Sequence, residues 1–200
     1  MKRTCDFMTA LLALAVLWPL LLLIALWIKC DSRGPVFFRQ VRVGLHGRRF
    51  RIWKFRTMST DAEALGQITV GEDARVTRAG RTLRRLKLDE LPQLFNVLVG
   101  EMSLVGPRPE VVKYVDMYPA PVRERVLSVR PGITAPTALE FYDEAAVLAA
   151  ASDPEREYVE KILPVKLAAY LEYVDHATLA DDAKTILRTV TAVARRVRRR

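Results

Sequence analysis

Asp89 and Glu90 are neighbouring carboxylates ahead of an apolar stretch with helical spacing, and an ionised aspartate is a nucleophile able to attack phosphorus. Lys54, Arg56, Arg84, Arg108 and Arg130 supply the other half of such chemistry, since phosphoryl transfer needs fixed positive charge where phosphate oxygens spread negative charge. Neither feature decides alone. Asp143 with Glu144 and Asp181 with Asp182 are pairs of the same kind, and acids in a first helical turn commonly serve as caps. Each cation taken singly is an ordinary surface charge. What points to phosphate is the combination, with Arg108 inside Gly106 Pro107 Arg108 Pro109 and Arg130 ahead of Pro131 Gly132, both on backbone with little freedom. No Walker-type loop and no G-x-G-x-x-G motif competes for a nucleotide. His46 and His176 are isolated, so a metal here is a hard one such as magnesium, bound partly through substrate phosphates.

These residues need a scaffold. Residues 36–43 and 50–57 read as two strands joined by Gly44 Leu45 His46 Gly47, a hairpin whose alternation puts Phe50, Ile52, Lys54 and Arg56 on one face. Residues 61–80 are polar and contain glycine, which reads as a loop with a short helix, and 82–88 carry Arg84, Arg85 and Lys87 among leucines. Residues 88–100 have helical spacing; Pro92 is tolerated only in a first turn, which sets the helix start near Asp89. Residues 155–173 read as a helix broken at Pro164. A last helix has Leu179, Ala183, Ile186, Leu187, Val190 and Val193 on one face and ends in Arg195, Arg196, Arg198, Arg199 and Arg200. The class is α+β, mainly helical.

Two hundred residues make one ordinary domain, or a small one with an appendage. Lysine and arginine outnumber aspartate and glutamate by 32 to 23, and the net charge of +9 calls for an anionic partner. Half the chain is hydrophobic and 28% is charged, which excludes disordered and fibrous classes. Cys5 and Cys30 are the only cysteines, too few for a secreted disulfide scaffold. The terminal arginines lack any nucleic-acid recognition motif or aromatic platform, so anionic lipid accounts for them more simply than nucleic acid does.

Residues 7–28 contain nothing ionisable, lie between Asp6 and Lys29, and are long enough as a helix to reach across a hydrocarbon core. No small-x-small cleavage site follows, so the segment is expected to be retained. Pro19, after Trp18, removes a backbone donor and predicts a kink. Lys2 and Arg3 precede the segment and Lys29, Arg33, Arg39 and Arg42 follow it; both flanks stay cytoplasmic only if the chain enters and returns on one face. A bent span and a re-entrant hairpin are both open.

The ordered series Gly34 Pro35 Val36 Phe37 Phe38 Arg39 Gln40, Lys54 Phe55 Arg56 Thr57 Met58, Leu88 Asp89 Glu90 Leu91 Pro92 Gln93 Leu94 Phe95 Asn96 Val97 Leu98, Ser103 Leu104 Val105 Gly106 Pro107 Arg108 Pro109 and Arg130 Pro131 Gly132 Ile133 Thr134 resembles the bacterial sugar transferase family, the small monotopic phosphoglycosyl transferases. The resemblance implies transfer of a phospho-sugar from a UDP-sugar to undecaprenyl phosphate with release of UMP, the initiating step of a surface glycan such as an exopolysaccharide, capsule, O-antigen or glycoprotein. It implies Asp89 as nucleophile in a covalent phospho-sugar intermediate, Glu90 as a holder of Mg2+ at the diphosphate, and Lys54, Arg84, Arg108 and Arg130 lining the phosphate and nucleotide pocket. It also implies residues 1–30 as a re-entrant membrane helix-break-helix and 31–200 as a cytoplasmic catalytic domain with an interfacial terminal helix. That places the protein on the bacterial inner membrane among anionic lipids, with no nucleic acid partner, and a homodimer is a possible assembly. Two departures stand out: Trp18 where the family has a serine before the proline, and Ala135 Pro136 Thr137 Ala138 Leu139 Glu140 Phe141 Tyr142 in place of a glycine- and glutamine-containing stretch. A rival class is a non-catalytic membrane-anchored basic adaptor, marked by salt-sensitive binding without UMP release.

Overall fold

The uncharged amino-terminal run forms one helix, α1 (Lys2–Asp31), which stays helical through Trp18 and Pro19. It is long and apolar enough to cross a membrane. The computed structural model describes residues 1–60, 73–135 and 144–198. The readings of residues 61–72, of 136–143 and of the last two arginines fall outside these.

Ala10, Leu14, Ile24 and Ile28 recur at helical intervals on one stripe of α1 and are buried against the rest of the chain. Leu12, Val16, Trp18, Leu23 and Leu26 project from it exposed. Both ends of α1 are tied to the same body. At its start Arg3 donates to the carbonyls of Val97 and Leu98, Asp6 accepts from the Ser103 hydroxyl at 2.7 Å, and Lys2 pairs with Asp182. At its end Asp31 accepts from the Ala79 amide at 3.1 Å.

The expected hairpin is present. Strands β1 (Phe37–Val43) and β2 (Arg49–Phe55) pair antiparallel from Phe37↔Phe55 to Val43↔Arg49, and His46 turns the connection at φ 53°. Phe50 and Ile52 face inward with Ala10, Leu14, Leu94 and Met102, which fixes how the hairpin lies on α1. Helix α2 (Arg78–Arg85) is capped by the Thr77 side chain and lies so close to the hairpin's end that a Cβ on Gly80 would stand 2.0 Å from the Thr57 carbonyl oxygen.

The helix start expected near Asp89 is displaced. Lys87 turns left-handed at φ 56° and residues Leu88–Glu90 form a 3-10 turn; helix α3 (Gln93–Val99) follows with Pro92 at its N-cap. The reason is local. Pro92 has no N–H to return to the Leu88 carbonyl, so the regular helical ladder begins beyond it. Asp89 and Glu90 therefore sit on the tight turn before the helix.

Strands β3 (Ser103–Val105) and β4 (Gly132–Thr134) form a small parallel pair. Helices α4 (Val112–Val115), α5 (Ala120–Val126), α6 (Glu144–Ala149), α7 (Pro154–Glu157) and α8 (Leu163–His176) surround a core that includes Tyr114, Tyr118, Tyr158, Leu167 and Tyr170. The break expected at Pro164 is a π turn over Tyr158–Ile162, so the chain widens ahead of the proline and stays helical on both sides. The terminal helix, α9 (Leu179–Arg198), leaves Leu179, Leu187 and Val190 exposed. The chain is thus mostly helical with small sheets and one long apolar helix at its start.

Candidate active site

Glu90 is the hub of a charge cluster. Its Oε1 accepts from Lys54 Nζ at 3.0 Å and from the Arg108 guanidinium, which also reaches Oε2 at 3.4 Å. Three separate elements converge here: β2 brings Lys54, the 3-10 turn brings Glu90, and the Pro107–Pro109 segment brings Arg108. Burial works against the Glu90 charge, yet Arg108, then Lys54 and Lys87, together outweigh it and hold the carboxyl well below its usual range. The same burial lowers Lys54, with Glu90 opposing the shift, while Glu90 is the main reason Arg108 is held above its ordinary value. About a third of the Arg108 side chain remains exposed, at 35%, so this cation is reachable from outside.

Asp89 is equally buried, at 7% exposure, but differently served. Its Oδ1 is buried without a hydrogen-bond partner. Burial pushes its carboxyl up, and Lys54 pulls it back, with Glu90 adding to the rise and Lys87 and Arg84 opposing it. A desolvated carboxylate oxygen without a hydrogen-bond partner has the character of a nucleophile, and neighbouring cations offset repulsion from an anionic group. Glu90 is thus pinned by cations, whereas one oxygen of Asp89 has no partner.

Of the remaining expected residues, Arg84 donates to the Thr57 hydroxyl at 2.9 Å and acts on Asp89 through its field. Arg56, expected beside Lys54, is taken up by the turn after α1: it donates to the Pro35 carbonyl at 2.6 Å and to Ser32 at 2.9 Å. Arg130 is not brought to the acids; it donates to the Gly100 carbonyl at 2.8 Å, just beyond the end of α3. Trp18 and Pro19 are exposed on α1, far along the sequence from any residue of the cluster.

Two residues escape the sequence reading. Arg42 is a partly buried cation whose NH1 donates to the Pro109 carbonyl at 3.1 Å, 3.7 Å from Glu110 and within the field of Arg108 and Glu90, and its buried Nε has no partner. A signal for it exists, because alternation along β1 places Arg42 across from Phe50 on the site-facing side. Gln93, 1% exposed, has an unpartnered Nε2 one turn beyond the acid pair. A polar side chain at a buried helical position is its only mark.

Among the described residues no group of three or more aspartate, glutamate, histidine or cysteine side chains could hold a metal by itself. The oxygen donors present are of the kind a hard divalent cation takes. Glu90 Oε2 carries only the long contact from Arg108, and Asp89 Oδ1 is without a partner.

The family model described as bacterial sugar transferase matches residues 1–196. The chain is 42% identical over 196 residues to a UDP-glucose:undecaprenyl-phosphate glucose-1-phosphate transferase of Caulobacter vibrioides, covering 96% of this chain and 69% of that protein. It is 47% identical over 136 residues to a UDP-N-acetylgalactosamine-undecaprenyl-phosphate N-acetylgalactosaminephosphotransferase of Aeromonas hydrophila, covering 66% of this chain and 32% of that one. With an undecaprenyl-phosphate glucose phosphotransferase of Komagataeibacter xylinus it shares 58% identity over 110 residues, covering 54% of this chain and 21% of the relative. The chain therefore spans about a third or less of the length of the last two relatives.

Proposed function

The chain belongs to the bacterial sugar transferase family, and on that premise we propose that it moves a phospho-sugar from a UDP-sugar to undecaprenyl phosphate and releases UMP. One observation carries the reading. Asp89 keeps a buried carboxylate oxygen free of any partner, beside a Glu90 whose charge is already matched by Lys54 and Arg108.

Asp89 attacks the phosphorus that bears the sugar. A carboxyl oxygen–phosphorus bond forms, the bond from that phosphorus to the bridging oxygen breaks, and UMP leaves with the electron pair. An oxygen of undecaprenyl phosphate then attacks the same phosphorus, the aspartyl bond breaks, and the carboxylate is regenerated with the diphosphate-linked sugar as product. No net proton is consumed. Lys54 and Arg108 stabilise charge on the transferring group, and Glu90 holds both in place. Glu90 and Asp89 offer the oxygens that would hold Mg2+, which when bound neutralises the diphosphate.

α1 fits a re-entrant course. Lys2, Arg3 and Asp6 at one end and Asp31 at the other contact the same body, which supports a course with both ends on one face of a bilayer. That brings the site to the cytoplasmic surface, where a soluble nucleotide and a lipid-borne phosphate meet. Cys5 and Cys30 are both exposed near the two ends and serve as reporters. An impermeant maleimide labels both from the cytoplasmic side, whereas labelling from opposite sides would replace the hairpin by a span.

The activity test is UMP release from a panel of UDP-sugars with undecaprenyl phosphate and Mg2+. Asp89→Asn abolishes release while the protein remains folded; undiminished turnover by this variant removes the nucleophile.

A further inference from the structure

Alternation gives the β1–β2 hairpin two faces. Phe50, Ile52 and Lys54 face the core and the site, while Phe37, Arg39 and Val41, with Arg51 and Trp53 across from them, lie on the outer side. That outer side carries apolar surface without a protein partner among the described residues. Phe37 and Val41 are exposed, and α3 extends the patch with Phe95, whose ring lies 6.3 Å from Trp53, and with Val99, 71% exposed.

The hairpin's own charges are of one sign. Eight lysines and arginines, and no acid, occur between Asp31 and Asp61. Arg49 and Arg51 are exposed, and the Arg39 guanidinium lies 3.5 Å over the Trp53 ring centroid. The patch is also joined to the membrane helix α1 through the core beneath it. Phe37 stacks on Phe55 at 5.5 Å, and Phe55 packs against Ile24 and Ile28.

Aromatic rings with one apolar and one wet edge, bordered by arginines that can lay their stems on apolar surface and lift their charge into water, match the boundary between acyl chains and headgroups. We infer that the outer face of the hairpin is a second membrane contact, seated in the headgroup layer of a bilayer containing anionic phospholipid, with Trp53 at the boundary and Arg39, Arg49 and Arg51 on lipid phosphates. The exposed arginines of the hairpin and its attachment to the membrane helix α1 select this occupant over a soluble protein or a second copy of the chain. The consequence is positional. Lys54 lies on the opposite face of the strand that carries Trp53, so the site opens one strand's thickness from the layer in which a lipid-borne phosphate arrives. The inference rests on α1 being embedded in the membrane, and the test separates the two.

Trp18 and Trp27 are exposed on α1, and Trp18→Phe with Trp27→Phe leaves Trp53 as the only tryptophan. The full-length protein is reconstituted into phosphatidylcholine–phosphatidylglycerol vesicles, with phosphatidylcholine either unmodified or brominated near the glycerol end of its chains. Bromination lowers Trp53 emission by about half, as for an interfacial indole. Arg39→Gln with Arg49→Gln and Arg51→Gln, or omission of phosphatidylglycerol, cuts that quenching at least about twofold. A Trp18-only variant reports α1. If Trp18 is quenched and Trp53 is not, the hairpin inference is wrong and the membrane helix stands; if neither is quenched, both fall. A Trp53 shielded from bromine and from aqueous acrylamide in a protein that sediments as a dimer would make the face a contact between copies and overturn the inference.

Discussion

Glu90→Gln isolates the electrostatics of the site from its chemistry. The substitution keeps the shape of the side chain and removes the charge that Lys54 and Arg108 share, leaving two cations in a buried cluster without their counter-ion. Removing one partner of a buried pair typically costs about 3–5 kcal/mol, and because Arg108 is 35% exposed and partly screened, the low end of about 3 kcal/mol applies. At about 2–4 °C per kcal/mol for a chain of this size, the melting point falls by about 6–12 °C. The assay is thermal unfolding in detergent at matched scan rates, followed across pH. Glu90 is held below its ordinary value of 4.5, so its contribution is complete above that value and is lost only as pH falls through the lower folded value. The gap between parent and variant therefore stays constant from neutral to mildly acid pH and narrows below about pH 4.5. Adding Lys54→Met to Glu90→Gln recovers part of the loss, since one of the stranded cations goes with it. A variant that melts with the parent at neutral pH, or a gap that closes between pH 7 and pH 6, would refute the idea that Glu90 neutralises this cluster.

Asp89→Asn separates stability from activity in the opposite direction. The Asp89 carboxyl is raised in the fold, so its favourable contribution exists below its unfolded value and is lost as pH rises through the folded one; at neutral pH the buried charge is a burden. The variant should melt at least as high as the parent, while UMP release drops by roughly a thousandfold or more; a lower melting point would mean that the Asp89 charge stabilises the fold. In the parent, the acid limb of kcat/KM should have its midpoint above 3.8, the ordinary aspartate value, and Lys54→Met should move it further up by removing the charge that opposes protonation; a limb unmoved by Lys54→Met would disconnect Lys54 from Asp89. Gly80→Ala puts a methyl 2.0 Å from the Thr57 carbonyl, so α2 must shift and Arg84 must leave the Thr57 hydroxyl; a loss of about 1–3 kcal/mol with lowered activity is expected, and a neutral result would mean that α2 is not seated as described.

The hairpin is legible because period-2 alternation and the glycines at Gly44 and Gly47 are local signals, and its strands lie within two residues of their expected bounds. Lys54, Glu90 and Arg108 are legible as residue types, although their convergence depends on contacts spanning 18 and 36 positions that no local pattern encodes. Arg42 is found by applying to β1 the same alternation that reads β2. The left-handed turn at Lys87 carries no sequence mark, whereas the helix start beyond Pro92 follows from the donor that the proline lacks. Arg130 shows the opposite limit. Its rigid Pro131 turn marks it as special, yet rigidity says nothing about where the guanidinium points, and it points to Gly100.

Asp89 either carries the sugar phosphate on its side chain during turnover or it does not. Intact-mass measurement of the protein incubated with UDP-sugar and Mg2+ in the absence of undecaprenyl phosphate should show an added sugar phosphate that maps to Asp89, appears with one equivalent of UMP and disappears when the lipid is supplied. UMP release with no mass gain on the chain, or a gain on another residue that persists in Asp89→Asn, contradicts the account.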